Sequence, residues 1–202
     1  MLLELSDTQL GAIILVIVLP LLYLLARVAA KIAEASTARL LAPLAPPIEG
    51  KIEKTRIRGR YRGRDILVSF SPDQSVGTGE SATRINAFII EALHVAGRQD
   101  WHLQFYITGW LGQGPKKLII HAQDQALQER LRQSDVLQTV SEVSAPTQSY
   151  VTIRYQARSQ RLTYTDDVSP EKVPSLEHYA LQLALVDHLV AINTSVNPIT
   201  IG

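Results

Sequence analysis

Residues 101–108 read WHLQFYIT, and apolar side chains alternate there with polar or amphipathic ones. The apolar positions are Trp101, Leu103, Phe105 and Ile107, and the others are His102, Gln104, Tyr106 and Thr108. Because successive side chains of a β-strand point to opposite faces, this repeat of two predicts a strand with one face on a core. Strands of this kind are typical of antiparallel sheets with one face toward solvent.

The preceding segment, TRINAFIIEALHVAG (residues 83–97), fits two patterns. Its apolar residues can share one face of a helix, but its β-branched and aromatic content is typical of a strand. We predict a strand, because GRQD (97–100) has the composition of a hairpin loop that leads into residues 101–108. From the sequence, residues 84–95 stay open between strand and helix.

Further strand patterns follow along the chain. LIIHA (118–122) is a short apolar run after a glycine-rich turn. SYVTIRYQ (149–156) alternates again and is predicted to pair with RLTYT (161–165) across the turn ARSQ. These patterns extend the sheet by hairpins.

Two amphipathic helices complete this part of the chain. Asp124 is the predicted N-cap of the first, in which Leu127 and Leu131 are spaced to face a core. Ser175 is the predicted N-cap of the second, which is expected to end near Asn193. Together the patterns predict an α+β domain, in which an antiparallel sheet of about six or seven strands is covered on one face by two helices.

The N-terminal part has a different composition. Residues 10–26, LGAIILVIVLPLLYLLA, carry no charge, and the run to Ala30 reaches 21 residues, against about 20 needed to cross a bilayer. The charges around it are Glu4 and Asp7 before the run and Arg27, Lys31 and Arg39 after it. By the positive-inside rule, this asymmetry predicts a single-pass protein of the cell membrane, with its N-terminus outside and its C-terminal domain in the cytoplasm.

The predicted domain organisation follows from these segments. Residues 1–42 form a transmembrane helix with a helical extension, residues 43–50 (PLAPPIEG) a proline-rich linker of polyproline character, and residues 51–202 a soluble α+β domain. Ala26 and Ala30 repeat a small-residue spacing that lets membrane helices approach closely, and Arg27 and Lys31 are placed to reach lipid headgroups. The predicted partners are the lipid bilayer and other integral membrane proteins.

Cations occupy every second position after the linker, and they are Lys54, Arg56, Arg58, Arg60, Arg62 and Arg64. We predict a hairpin of two strands here, over residues 52–58 and 65–70, with its turn between them. Two interpretations stay open for Arg56, Arg58, Arg60 and Arg62. They are either a basic rim that contacts anionic lipid or an acidic partner, or a solvated outer face.

Composition argues against several kinds of site. Lys and Arg number 20 against 19 for Asp and Glu in 202 residues, and this net charge of +1 argues against nucleic-acid binding. The absence of cysteine excludes disulfides, thiolate metal sites and cysteine nucleophiles. None of the five histidines has metal-ligand spacing, and we interpret Asp166 and Asp167 as turn residues rather than an acid-base pair. The sequence therefore predicts no enzyme, no metal and no cofactor.

Four short motifs stand out along the chain: G-x-Y-x-G-R at residues 59–64, D-x-x-L-x-x-R-L at residues 124–131, I-x-Y at residues 153–155, and IN-x-x-VNP at residues 192–198. With these motifs, the order of the parts resembles a family of bacterial single-span membrane-anchored proteins of unknown function. The resemblance implies an anchored α+β domain and no particular activity.

These observations lead to two functional expectations. The first is a membrane-anchored binding or scaffolding domain, an accessory subunit of a larger membrane complex of, for example, the respiratory or photosynthetic kind. The second is a membrane-tethered sensor that binds a small ligand in a pocket between sheet and helices.

Overall fold

The computed structural model describes residues 7–76, 83–107, 116–133, 135, 151–168 and 173–196. The helices are α1 (Asp7–Leu41), α2 (Gln125–Gln133) and α3 (Leu176–Val196), with 3-10 turns at Ala42–Leu44 and Pro46–Ile48. The strands are β1 (Lys51–Glu53), β2 (Arg56–Tyr61), β3 (Arg64–Val76), β4 (Thr83–Ala92), β5 (Trp101–Ile107), β6 (Lys116–Ala122), β7 (Val151–Gln156) and β8 (Arg161–Val168).

The described strands form one antiparallel sheet in the order β1-β2-β3-β4-β8-β7-β5-β6. Strands β1 to β4 follow one another as a meander. The hairpin β7–β8 lies next to β4, and the hairpin β5–β6 lies next to β7 at the end of the sheet. The predicted α+β fold with an antiparallel sheet of hairpins is thus confirmed, with eight strands instead of six or seven. Strand β4 also confirms the strand predicted within the segment 83–97, of which it forms residues 83–92.

The hairpin predicted between β4 and β5 is wrong, because β8 and β7 lie between these strands. After β4 the chain turns at His94, which has a positive φ of 56°. The Val95 N–H then donates to the Gln160 carbonyl at 2.8 Å, and the Tyr155 hydroxyl donates to the Val95 carbonyl at 2.9 Å. The segment therefore passes over the end of the β7–β8 hairpin and delivers β5 to the far side of β7.

Helices α2 and α3 contact each other, and they pack on the sheet at β6 and at β4 and β8, respectively. Leu127 and Leu131 of α2 are buried, as the spacing predicts. Both predicted caps form: Asp124 Oδ1 accepts the Ala126 N–H at 2.8 Å, and Ser175 Oγ accepts a backbone N–H of α3 at 3.2 Å. The opposite side of the sheet, which we call the outer face, carries the more exposed half of the alternating strand residues.

The first hairpin differs from its prediction. Strand β2 runs through Gly59 to Tyr61, and the turn consists of Arg62 and Gly63, both with positive φ, which is typical of a type I′ turn. Residues 52–58 are not one strand, because the chain reverses after β1 at Lys54, where φ is 58°.

The polyproline conformation predicted for residues 43–50 is also wrong. Proline fits the first positions of helical turns, where its missing N–H costs nothing, and the prolines of this segment begin two 3-10 turns. Leu44 and Ile48 are buried in the same core as Leu41, the last residue of α1. Ile48 packs so closely on β2 that a Cβ on Gly59 would overlap its carbonyl oxygen. Helix α1 is thus joined to the sheet by buried contacts.

Helix α1 contacts the sheet at β1 and β2, and residues 18–36 are exposed. The side chains of residues 7–17 lie outside the described part of the structure. Among the residues that are described, no helix has both the length and the apolar character to cross a membrane. The span predicted over residues 10–30 stays a prediction.

Candidate functional site

Helix α1 exposes a large apolar surface in the described structure. Leu19, Leu22 and Leu25 are each more than half exposed, and other large apolar side chains are exposed on the same helix. These are Val18, Leu21, Tyr23, Leu24, Val28, Ile32 and Leu40. Exposed apolar patches of this extent mark sites that contact a protein partner or a membrane.

The four predicted contact residues of α1 lie on this exposed part of the helix: Ala26, Arg27, Ala30 and Lys31. The Arg27 guanidinium carbon stands 5.3 Å from the centre of the Tyr23 ring, a cation–π geometry between residues one turn apart. An aromatic ring next to a cation is a combination that also occurs at the ends of membrane helices.

Three of the predicted basic residues share the outer face of β2. Arg56, Arg58 and Arg60 are exposed, and they alternate with the buried Ile57, which confirms their common face. Arg60 Nε lies 3.0 Å from Asp65 Oδ1, but a pair this exposed contributes little to stability. Arg56 and Arg58 carry the unpaired positive charge of this strand in the described structure.

Arg62 lies apart from these residues, because it belongs to the turn. Its Nη1 is 3.2 Å from Asp187 Oδ2 of α3, while Arg64 Nε is 2.7 Å from Asp187 Oδ1. Arg62 and Arg64 therefore join the hairpin to α3 by ion pairs with Asp187. Of the four residues in the predicted basic rim, three lie on β2 and one, Arg62, lies in the turn.

A buried polar cluster lies between β8 and α3. The interpretation of Asp166 and Asp167 as turn residues is wrong, since both belong to β8 and the Asp166 side chain is buried. Its Oδ2 accepts hydrogen bonds from the Tyr164 hydroxyl at 3.2 Å and from Gln182 Nε2 at 3.1 Å. Burial, together with the Asp166 carboxyl, raises the pKa of Tyr164 well above its usual range. The cluster holds the start of α3 on the sheet.

A second group of polar side chains lies on the outer face at β5, β6 and β7, far from the arginines of β2. His102 on β5 lies directly opposite His121 on β6 and Arg154 on β7. The two imidazole rings stack with their centres 4.4 Å apart and their planes 20° from parallel. These three side chains line an open cleft of about 600 Å³, together with Asp100, Gln123 and Gln156 among others.

The electrostatics of this cleft disfavour a charge on His102. Partial burial, and then the neighbouring His121 and Arg154, lower the pKa of His102 below its ordinary value of 6.5. The folded chain therefore binds this proton less readily than the unfolded chain. His102 opposes folding progressively as the pH falls below 6.5 and has no such effect well above it.

The sequence alone did not reveal this cleft. His102, His121 and Arg154 are distant in the chain, and the alternation within β5 and β7 predicts their face but not their neighbours. Their meeting depends on the insertion of β7 and β8 between β4 and β5.

Comparison of the chain with protein-family models, curated proteins and solved structures finds no match.

Proposed function

We propose that this protein is a membrane-anchored binding module, an accessory subunit held beside larger membrane proteins by helix α1, with its sheet domain on the cytoplasmic side. The observation that carries the proposal is the surface of α1, on which Leu19, Leu21, Leu22, Leu24 and Leu25 are all exposed. Residues 10–17, whose side chains the structure does not describe, continue this surface in the sequence with eight uncharged residues. Such a surface requires lipid or other helices around it.

The basic residues of β2 favour a protein partner over the lipid surface. Helix α1 contacts β1 and β2 of the sheet. If Lys31 lies at the level of the lipid headgroups, the ten residues that follow it, up to Leu41, extend α1 about 15 Å away from them. That distance exceeds the screening length of about 8 Å at physiological ionic strength, so attraction between Arg56 or Arg58 and anionic headgroups is largely lost. An acidic surface of a neighbouring subunit can approach these arginines directly.

The test of anchoring is a charged substitution on α1. We expect the double variant Leu19→Lys/Leu22→Lys to move from the membrane fraction to the soluble fraction, because each lysine costs about 2.5–3.5 kcal/mol at the centre of a membrane helix. Fractionation of cells followed by alkaline carbonate extraction measures this. The matched control, Leu176→Lys/Leu181→Lys, changes two exposed leucines of α3 and should stay with the membrane. A wild-type chain in the soluble fraction would refute the anchor.

The test of partnership uses the small residues of α1. We expect the wild-type chain, solubilised in mild detergent, to migrate in a large assembly on native electrophoresis and Ala26→Leu/Ala30→Leu to release it, since larger side chains prevent close helix approach. Val28→Leu/Ile32→Leu is the control, because it changes exposed apolar residues on another side of the helix. Migration of the wild-type protein as a solitary 22.3 kDa chain would contradict the accessory-subunit role.

A second function, a membrane-tethered sensor, is favoured by the cleft at His102, His121 and Arg154. The pocket expected for such a sensor lay between sheet and helices. The described cleft is open, and its lining includes His102, His121 and Arg154 of the outer face, buried residues of the opposite face such as Trp101 and Tyr155, and Gln128 of α2. The side chains of His121 and Arg154 are exposed, so a small ligand can reach the cleft from solvent.

A further inference from the structure

We propose that the cleft formed by His102, His121 and Arg154 binds a phosphate group, carried either by a soluble phosphomonoester or by a lipid headgroup. This inference deepens the second function, the tethered sensor, and rests on it. It does not depend on the partner of helix α1.

The geometry brings three nitrogen donors together on adjacent strands. Because His102 pairs directly with both His121 and Arg154, the three Cα atoms lie in one row across β6, β5 and β7, with about 5 Å between neighbours. The two imidazole rings stack with 4.4 Å between their centres, which brings their nitrogen atoms into one small region. A guanidinium adds a planar fork of N–H groups that matches phosphate oxygens.

Three basic side chains stand in the row, while one carboxylate, that of Asp100, lines the cleft. Among the described residues, no carboxylate forms an ion pair with Arg154, His102 or His121. The carboxylate that lines the cleft, Asp100, already accepts the Ala157 N–H at 2.7 Å. The Arg154 side chain is exposed, and its guanidinium can therefore pair with an anion that enters the cleft.

The other charged groups of the outer face lie further away or are paired with each other. On the next strands of the sheet, Arg161 of β8 holds Glu91 of β4 at 2.9 Å. On β6, Lys117 stands four residues from His121, which is about 13 Å along a strand. Within the described part of the chain, no group of three or more histidines and carboxylates could hold a metal ion.

Binding of the anion is coupled to uptake of a proton. Burial and the neighbouring His121 and Arg154 lower the pKa of His102 below its ordinary value of 6.5, so this imidazole is mostly neutral near pH 7. A bound dianion reverses that electrostatic balance and favours the imidazolium. Affinity should therefore rise as the pH falls, by up to about tenfold per pH unit for one proton taken up.

The experiment follows the histidine resonances of the full-length chain in nonionic detergent by NMR during titration with sulfate. Sulfate is the probe because it resembles phosphate but keeps its double charge across the pH range. We expect the His102 and His121 signals to shift saturably and sulfate to bind about tenfold more tightly at about pH 5.5 than at about pH 7.5. Arg154→Gln should weaken binding at least fivefold at the lower pH.

The matched control is Arg58→Gln, which removes an arginine from the same cross-strand row four strands away, about 19 Å from Arg154. Sulfate affinity should be unchanged in this variant, and equal weakening by both substitutions would overturn the proposal. Absence of a saturable shift, or tight Zn²⁺ binding without any response to sulfate, would also overturn it. Signal dispersion shows that each variant is folded.

Two further titrations separate the possible outcomes. Phenyl phosphate and short-chain phosphatidic acid distinguish a soluble phosphomonoester from a lipid headgroup, and a saturable response to either supports the phosphate site. If a low-molecular-weight extract of cells shifts the His102 signal while sulfate and both phosphates do not, the phosphate assignment is overturned and the tethered sensor is retained.

Discussion

Substitution of Gly59 by alanine should lower the free energy of unfolding by about 3 kcal/mol or more. The added Cβ would overlap the Ile48 carbonyl oxygen and lie 2.7 Å from Gly50 Cα. Because these neighbours are backbone atoms, no side-chain rotation relieves the overlap, and the 3-10 turn at Pro46–Ile48 must move away from β2. Urea unfolding of the full-length chain in detergent, followed by circular dichroism, measures the loss.

The same hairpin provides the control for this prediction. Gly63 has a positive φ of 80° but open space where a Cβ would stand. Asparagine tolerates this backbone conformation, so Gly63→Asn should cost less than about 1 kcal/mol. If Gly59→Ala proved as mild as Gly63→Asn, the close packing of residues 46–48 on β2 would be refuted.

Replacement of Asn193 by leucine should cost about 3 kcal/mol. Asn193 Oδ1 accepts the Trp101 indole N–H at 2.8 Å, and its Nδ2 donates to the Ala96 carbonyl at 2.7 Å. A side chain of similar size without polar atoms leaves both partners unsatisfied in a buried place, at about 1–3 kcal/mol each. Thermal unfolding measures the loss, and Trp101 fluorescence should shift to longer wavelength as the indole loses its fixed environment.

Thr194 provides the comparison for Asn193. Its hydroxyl donates to the Val190 carbonyl at 2.8 Å within α3 itself, and the residue is exposed. Thr194→Ala should therefore change stability by no more than about 0.5 kcal/mol. Equal losses in both variants would show that α3 does not depend on its bond to the loop before β5.

Local sequence patterns predicted which segments form strands and helices better than they predicted which of these elements lie next to each other. The alternation of residues 101–105 and the caps at Asp124 and Ser175 are properties of a few adjacent residues, and all are confirmed. The order of strands depends instead on contacts between distant residues, such as the Val95 N–H and the Gln160 carbonyl. A hairpin loop and a crossing segment can have the same composition, which is why the β4–β5 pairing was predicted wrongly.

The candidate site was predictable to the same limited extent. Arg56, Arg58 and Arg60 share a face because a strand has a period of two, which the sequence displays directly. Asp166 was misinterpreted because its partners, Tyr164 and Gln182, include a residue from α3 that no local pattern associates with β8. Proline spacing alone cannot distinguish an extended linker from turns that bury Leu44 and Ile48.

The buried junction at Leu41, Leu44 and Ile48 joins helix α1 rigidly to the sheet. A flexible linker would let the sheet sample every orientation, whereas here a rotation of the helix about its axis turns the sheet with it. Torque applied at one end is thus transmitted to the other. A neighbour that turned α1 by about 5° would move the far strand, β6, by about 3 Å, since seven strand spacings separate it from β1, about 34 Å.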